Sequence, residues 1–266
     1  MILASHPLSS LTLTVTVALG YLVPALALAQ RDKAARTVVG LTWLLHALLI
    51  VGGFSGEAPH FGFAAALSVT VWLIAAVYAV ESHFYPQLRI RWSLCLLGSA
   101  AVVLAQLFPG VPLPPSTSLW LPLHWALGIA SYGLFGVAVA HAWYLGLAEQ
   151  RMRRAADLGG GMPLLTIERL TFRFVGAGFA MLTATLVVAF GFSESLYGRQ
   201  APVRWDHKTI FSVLSWLVFA ALMLGRWRFG WRGRRAARMV FVGAGLLFLA
   251  YVGSRFVLEV ILGRMP

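Results

Sequence analysis

The chain has 266 residues, of which 59% are hydrophobic and only 11% are charged, with 21 Lys and Arg against 9 Asp and Glu. This composition excludes an ordinary soluble domain, in which roughly 45–50% of residues are apolar and about 25% are charged. The net charge of +12 does not indicate a nucleic-acid partner, because long uncharged segments divide the basic residues into short clusters. We therefore predict an integral membrane protein.

Eight apolar segments are long enough to cross the roughly 30 Å hydrocarbon core of a bilayer as helices, and all but the last, which contains Arg255 and Glu259, are uncharged. In chain order they cover about residues 11–29, 37–54, 61–80, 92–108, 119–148, 174–192, 209–225 and 239–262. The first segment has no basic residue before it and is longer than a signal-peptide core, so we expect it to remain as a span. We predict an all-α polytopic membrane protein in which residues 1–266 form a single integral membrane domain.

The basic residues are distributed unevenly between alternate loops. The first, third, fifth and seventh loops carry 16 Lys and Arg, whereas the second, fourth and sixth carry 3. Because short loops rich in Lys and Arg stay on the cytoplasmic side, we expect both termini to face the outer, periplasmic side. The densest cluster, residues 226–238, is interpreted as a topology determinant lying against anionic lipid. Docking of a cytoplasmic partner is the alternative.

Histidines are the first candidates for function, because ionisable residues inside a membrane are costly. His60 is expected in the second loop, and His83 and His141 at the inner ends of the third and fifth spans, where water or headgroups satisfy their ring nitrogens. His46 lies about 15 Å into the second span, near the midplane. It either bonds to a neighbouring helix or has a functional role.

His124 and His207 lie near the outer ends of the fifth and seventh spans, at the same predicted depth. Two neutral imidazoles at one depth are suited to ligate a haem iron from both sides. Trp205 and Lys208 flank His207, and a haem needs an aromatic slot with cations near its propionates. The alternative is that Trp205 belongs to the interfacial aromatic belt and that Lys208 meets lipid headgroups.

Other motifs narrow the function further. Cys95 is the single cysteine, so the chain has neither an internal disulfide nor a Cys-x-x-Cys site. No Walker loop, His-Glu-x-x-His or Gly-x-Ser-x-Gly motif is present, and we do not expect an enzyme with turnover of its own. Arg255 and Glu259 are spaced i, i+4 in the last span, where we expect them to pair.

A family resemblance is carried mainly by the C-terminal third. Its segments are Trp205-Asp-His-Lys-Thr209, Trp216, Gly225-Arg-Trp-Arg-Phe-Gly-Trp-Arg-Gly233 and Gly253-Ser-Arg-Phe-Val-Leu-Glu259. Upstream, His124 is followed by Gly128-Ile-Ala-Ser-Tyr132. Together these segments resemble the cytochrome c assembly protein family, and most closely its short, eight-helix YpjD branch from bacterial inner membranes.

The resemblance implies a multi-pass inner-membrane protein that binds haem non-covalently near its outer face and supports cytochrome c biogenesis. Carried over residue by residue, it implies His124 and His207 as iron ligands and His46 as a membrane-embedded third candidate. The Trp-rich outer segment of better-studied members is absent, and only its Trp-Asp-x-Lys end is matched, by residues 205–208. Implied partners are membrane lipid, haem and other cytochrome c biogenesis or tetrapyrrole-pathway proteins.

Two other functions stay open. The first is a HemX-like membrane scaffold or regulator that recruits a cytoplasmic partner through the Arg-rich loops, with the histidines structural. The second is a small-solute transporter whose path is lined by His46, Arg255 and Glu259.

Overall fold

The computed structural model describes residues 8–26, 32–54, 60–84, 91–112, 118, 120–153, 163–192 and 205–262. Most of these described residues belong to eight long helices. They are α1 (Leu8–Leu26), α2 (Asp32–Phe54), α3 (Phe63–Phe84), α4 (Arg91–Leu107), α5 (Trp120–Arg153), α6 (Leu164–Gly191), α7 (His207–Phe229) and α8 (Gly233–Phe248). Two short strands, β1 (His60–Phe61) and β2 (Val111–Pro112), pair antiparallel. Beyond α8 the helical path continues through a wider π turn at Leu249–Gly253, an α turn at Ser254–Phe256 and a second π turn at Val257–Ile261.

The helices match the predicted spans. Among the described residues, six helices are long and apolar enough to cross a bilayer, and α1 and α4 are shorter apolar helices. The prediction of an all-α polytopic membrane protein is therefore confirmed. The largest difference in boundaries is at α6, which begins after Pro163 and so includes Arg169 and Arg173 within the helix. The predicted end of the first span, residues 27–29, lies outside the described residues.

Helix α5 ends at Arg153, slightly beyond the predicted end of its span at residue 148. Its 34 residues correspond to a length of about 51 Å, so its last turns project past the hydrocarbon core. His141 lies more than three turns before the helix end and is only 1% exposed. Its ring contacts Phe174, with the ring centroids 5.4 Å apart. The expectation that water satisfies His141 was therefore wrong, whereas His60 and His83 are exposed.

The chain divides into two compact units. The N-terminal unit comprises Met1–His83, Leu88–Pro114 and Arg255–Pro266, and the central unit comprises Phe84–Gln87 and Pro115–Ser254. In the N-terminal unit, α1 packs against α2 and α4. The buried core of this packing consists of Val17, Tyr21, Cys95 and Val102.

The central unit is an antiparallel four-helix bundle of α5, α6, α7 and α8. Helices α5 and α6 run antiparallel, because Trp120 at the start of α5 stacks on Phe192 just after the end of α6. At its centre the rings of Phe135 and Phe219 stack with centroids 3.8 Å apart. Gly178 of α6 packs on Phe135 and Gly243 of α8 packs on Phe219. Small residues at these positions let neighbouring membrane helices approach closely.

The bundle has two chemically different ends. The end at which α5 and α7 begin and α6 finishes carries His124 and His207, and we call it the histidine end. The opposite end, where α7 finishes and α8 begins, carries the arginines of residues 226–238, and we call it the arginine end.

Candidate functional site

At the histidine end, the last part of α6 contacts residues near each of the two predicted iron ligands. Trp120, at the start of α5, stacks on Phe192 just after α6, with ring centroids 3.6 Å apart. Phe190, near the end of α6, contacts Trp205, with ring centroids 6.2 Å apart. Trp205 precedes His207 by two residues. The starts of α5 and α7 are thus held to the end of the same helix by aromatic contacts.

The ring of His124 is oriented by a backbone carbonyl. Its Nδ1 atom lies 3.2 Å from the carbonyl oxygen of Thr185 in α6. Because a carbonyl oxygen only accepts, Nδ1 carries the proton in this bond, and the Nε2 atom of the neutral ring keeps its lone pair. Metal-ligating histidines generally have this arrangement, with the second ring nitrogen bonded to a carboxylate or backbone carbonyl. His124 is therefore prepared to ligate a metal through Nε2.

His207 is the first residue of α7 and is exposed. The preceding Asp206 is the N-cap, and its Oδ1 atom accepts a hydrogen bond of 2.9 Å from the backbone N–H of Thr209. An Asp in this position stabilises the start of a helix. The Trp-Asp-His-Lys-Thr sequence thus presents an exposed imidazole on a fixed helix start.

Lys208 lies beside a residue that sequence reasoning did not identify. Its Nζ atom is 6.0 Å from the centre of the Tyr251 ring, which belongs to the π turn Leu249–Gly253. The hydroxyl of Tyr132 donates to the carbonyl of Leu247 just before that turn. Neither Tyr251 nor the Thr185 carbonyl had a sequence signal, because one depends on a helix irregularity and the other on a main-chain atom.

His46 belongs to the N-terminal unit and is completely buried. Its Nδ1 atom lies 3.2 Å from the Tyr21 hydroxyl, and its Nε2 atom lies 2.8 Å from the Ser68 hydroxyl. Both ring nitrogens thus have hydrogen-bond partners. The structure brings His124 and His207 to one end of one bundle, whereas His46 lies among the helices of the other unit.

The predicted pair of Arg255 and Glu259 is present. The Nη1 and Oε1 atoms lie 3.7 Å apart, and the side chains are 17% and 11% exposed. The carboxylate approaches Gly62, where an added Cβ atom would lie 3.1 Å from Oε2. Because Gly62 follows β1, this pair packs next to the paired strands of the N-terminal unit.

These features identify the chain as a multi-pass helical membrane protein that carries histidines at one end of a helix bundle. The family described as Cytochrome C assembly protein matches residues 37–262. The chain belongs to this family, as the sequence resemblance predicted. No solved structure matches the chain.

Three relatives illustrate the range of the family. An uncharacterized 28.8 kDa protein in the nifR3-like 5′ region of Azospirillum brasilense is 33% identical over 235 residues, which cover 80% of this chain and 85% of the relative. Inner membrane protein YpjD of Escherichia coli K12 is 30% identical over 141 residues, 52% of each chain. Cytochrome c biogenesis protein CcsA of Thermosynechococcus vestitus is 26% identical over 275 positions, covering 86% of this chain and 85% of the relative.

Family membership and the helical spans establish a multi-pass protein of the inner membrane. They also support a role in cytochrome c biogenesis. Proteins of this family typically handle haem and are not classical enzymes.

Proposed function

We propose that this protein binds haem non-covalently at the histidine end of the central unit in support of cytochrome c biogenesis, with His124 and His207 as the iron ligands. The observation that carries the proposal is the 3.2 Å contact between His124 Nδ1 and the Thr185 carbonyl. It leaves Nε2 as a ligand atom at the same end of the bundle as the exposed His207. The names of relatives such as CcsA indicate the process that this site serves.

The residues at this end fit the chemistry of a haem. Two imidazoles are suitable axial ligands for a haem iron. Trp120 and Trp205 offer flat apolar surfaces, and Lys208 is a cation suited to a propionate. When bound, the haem supplies a redox-active iron. The chain itself binds and orients the group, and it performs no catalytic step of its own.

The Thr185 carbonyl has a definite task in this proposal. By accepting from Nδ1 it fixes both the tautomer and the direction of the His124 ring, which raises the basicity of Nε2. The Asp206 cap holds the start of α7 and hence the backbone position of His207. In this proposal the histidine end faces the periplasm, in agreement with the distribution of Lys and Arg between the loops.

The test is an absorption spectrum of the purified full chain in detergent, oxidised and then reduced with dithionite. The unchanged protein from haem-sufficient cells should have a Soret band and sharp reduced α and β bands. His124→Ala and His207→Ala should each lose most of the bound haem, because each variant lacks one of the two imidazoles that would hold the iron. His60→Ala and His83→Ala are matched controls, since both residues are exposed and lie outside the central bundle.

Two results would overturn the proposal. The first is a featureless spectrum that stays featureless after titration with haem. The second is equal haem retention in all four variants. Equal thermal unfolding temperatures among the variants are required, so that loss of haem is not confused with loss of fold.

A further inference from the structure

The arginine end of the central unit carries an ordered basic turn between α7 and α8. Residues 226–238 contain six Arg and no Lys, Asp or Glu. Gly230 terminates α7 in the left-handed conformation with φ of 64°, and its N–H donates to the carbonyl of Arg226 at 3.2 Å. Only residues 230–232 separate α7 from α8. The arginines are thus presented on a short, defined turn.

Internal contacts fix this turn to the bundle. The ring of Trp231 packs on Gly225, where any side chain would collide with it. The Arg235 guanidinium lies 3.8 Å over the Trp231 ring. Arg226 donates to the Glu168 carboxylate of α6 and, at 3.2 Å, to the Trp231 carbonyl. Arg226 and Arg235 therefore serve the structure of the turn itself.

Three other arginines extend outward from the turn. Arg228 is exposed in the last turn of α7. The side chains of Arg232 and Arg234 are 63% and 62% exposed, and their Nε atoms lie 3.8 Å from Glu168 and 3.9 Å from Glu149. Both contacts are long ion pairs at the protein surface, where water and other anions compete with the carboxylate. Because more than half of each side chain is exposed, the two guanidinium groups are accessible to an external anion.

Two aromatic side chains lie at the same level as these arginines. Trp227 is 83% exposed and Phe229 is 70% exposed, and both belong to the last turn of α7. Large aromatic residues at the end of a spanning helix lie among the lipid headgroups, which puts Arg228 and its neighbours at the depth of lipid phosphates. A soluble protein would have to displace lipid to reach these rings. The exposed aromatics therefore favour a lipid as the occupant.

We propose that the turn formed by residues 227–234 binds the headgroup of an anionic phospholipid. The guanidinium groups of Arg228, Arg232 and Arg234 contact the phosphate, which Arg binds in a bidentate manner that Lys does not match. Trp227 and Phe229 pack against the glycerol and upper acyl region. This surface is separate from the histidine end, so the proposal does not depend on haem binding.

The test uses the full chain in a non-ionic detergent, titrated with dioleoylphosphatidylglycerol or dioleoylphosphatidylcholine. Bound lipid is counted by native mass spectrometry, and the unfolding temperature is followed in parallel. The unchanged protein should bind phosphatidylglycerol in preference to phosphatidylcholine. The triple variant Arg228→Gln, Arg232→Gln, Arg234→Gln should bind phosphatidylglycerol at least about tenfold more weakly, because each arginine near the headgroups adds attraction.

A matched control separates a defined site from diffuse charge. The triple variant Arg151→Gln, Arg153→Gln, Arg173→Gln removes the same number of exposed charges from the same end of the bundle. It should keep the affinity for phosphatidylglycerol within about twofold, because the proposed turn remains intact. Equal weakening by both triple variants would overturn the site, as would equal binding of the two lipids by the unchanged protein.

A charge-conserving variant keeps the proposal testable if the glutamine variant does not fold. Replacement of Arg228, Arg232 and Arg234 by Lys retains the net charge but removes the bidentate donors. We expect about threefold weaker binding of phosphatidylglycerol. Affinity equal to that of the unchanged protein would overturn the guanidinium contact. If the turn binds an acidic soluble protein and shows no preference for phosphatidylglycerol over phosphatidylcholine, the lipid proposal is overturned in favour of a protein partner.

Discussion

The Nε2 atom of His46 lies 2.8 Å from the hydroxyl oxygen of Ser68. On the opposite edge of the same ring, Nδ1 lies 3.2 Å from the hydroxyl of Tyr21. One buried imidazole thus connects α2 to both α3 and α1 within the N-terminal unit. Ligation of a haem iron by His46 would require one of these hydrogen bonds to break, so the geometry favours a role in helix association.

Removal of either hydroxyl should therefore affect stability and not haem content. We expect Ser68→Ala and Tyr21→Phe each to lower the free energy of unfolding by about 0.6–1.7 kcal/mol, the range for hydrogen bonds between membrane helices. Unfolding in mixed micelles measures the change, and the reduced absorption spectrum measures haem per folded protein. A His46→Gln variant that unfolds normally but loses its haem would instead identify His46 as a ligand.

Gly243 and Gly245 lie on the same helix but in different surroundings. A Cβ atom at Gly243 would come within 2.7 Å of the Phe219 ring, whereas at Gly245 nothing lies within 4 Å. Gly243→Ala should lower the free energy of unfolding by about 1–3 kcal/mol, because the stacked rings of the core must shift. Gly245→Ala should leave stability unchanged or raise it by up to about 1 kcal/mol.

Unfolding of the two alanine variants under identical detergent conditions gives this comparison directly. A similar loss in both would mean that glycine flexibility, and not the close packing on Phe219, determines the effect. A similar absence of loss would contradict the packing of α8 on α7 at this position.

The helices were predictable from sequence because a bilayer makes each span satisfy its own backbone hydrogen bonds. Long apolar runs are therefore a local signal, and each of the eight predicted runs coincides with helical structure over the residues that the structure describes. The Arg255 and Glu259 pair was predictable for a different local reason, since side chains spaced i, i+4 along a helical path lie next to each other. The burial of His141 was not predictable in this way, because it depends on packing against Phe174 of another helix.

Contacts between helices were not predictable in this way. Trp43 and Trp72 stack with ring centroids 4.5 Å apart, and each indole N–H donates to the backbone carbonyl of the other residue, at 3.0 and 3.1 Å. In the sequence, both residues are recognised only as apolar and aromatic side chains, and neither property indicates that the two rings stack on each other. The same limit applies to the candidate site, where the histidines were visible in the sequence but the Thr185 carbonyl that orients His124 depends on how α5 packs on α6.

The orientation of the chain in the membrane is open to a simple labelling test. Cys95 is the single cysteine and is only 2% exposed, so an introduced cysteine can be detected above a low background. In spheroplasts, a membrane-impermeant maleimide should label His60→Cys without disruption of the membrane and Arg232→Cys only after disruption. This follows from the excess of Lys and Arg in alternate loops. The unchanged protein is the control for labelling of Cys95. The opposite labelling pattern would put the histidine end on the cytoplasmic side.

Glu168 and Glu149 lie at the arginine end in different surroundings. Glu168 is 12% exposed and accepts a hydrogen bond from Arg226, whereas Glu149 lies 3.9 Å from Arg234, whose side chain is 62% exposed. Glu168→Gln should lower the free energy of unfolding by about 1–3 kcal/mol, because a partly buried arginine loses its charged partner. Glu149→Gln should change it by no more than about 1 kcal/mol, since exposed pairs contribute little. Thermal unfolding of the two variants at low and high salt measures both changes in stability. Equal losses that disappear together in high salt would mean that general charge balance, and not the Arg226 contact, stabilises this end of the bundle.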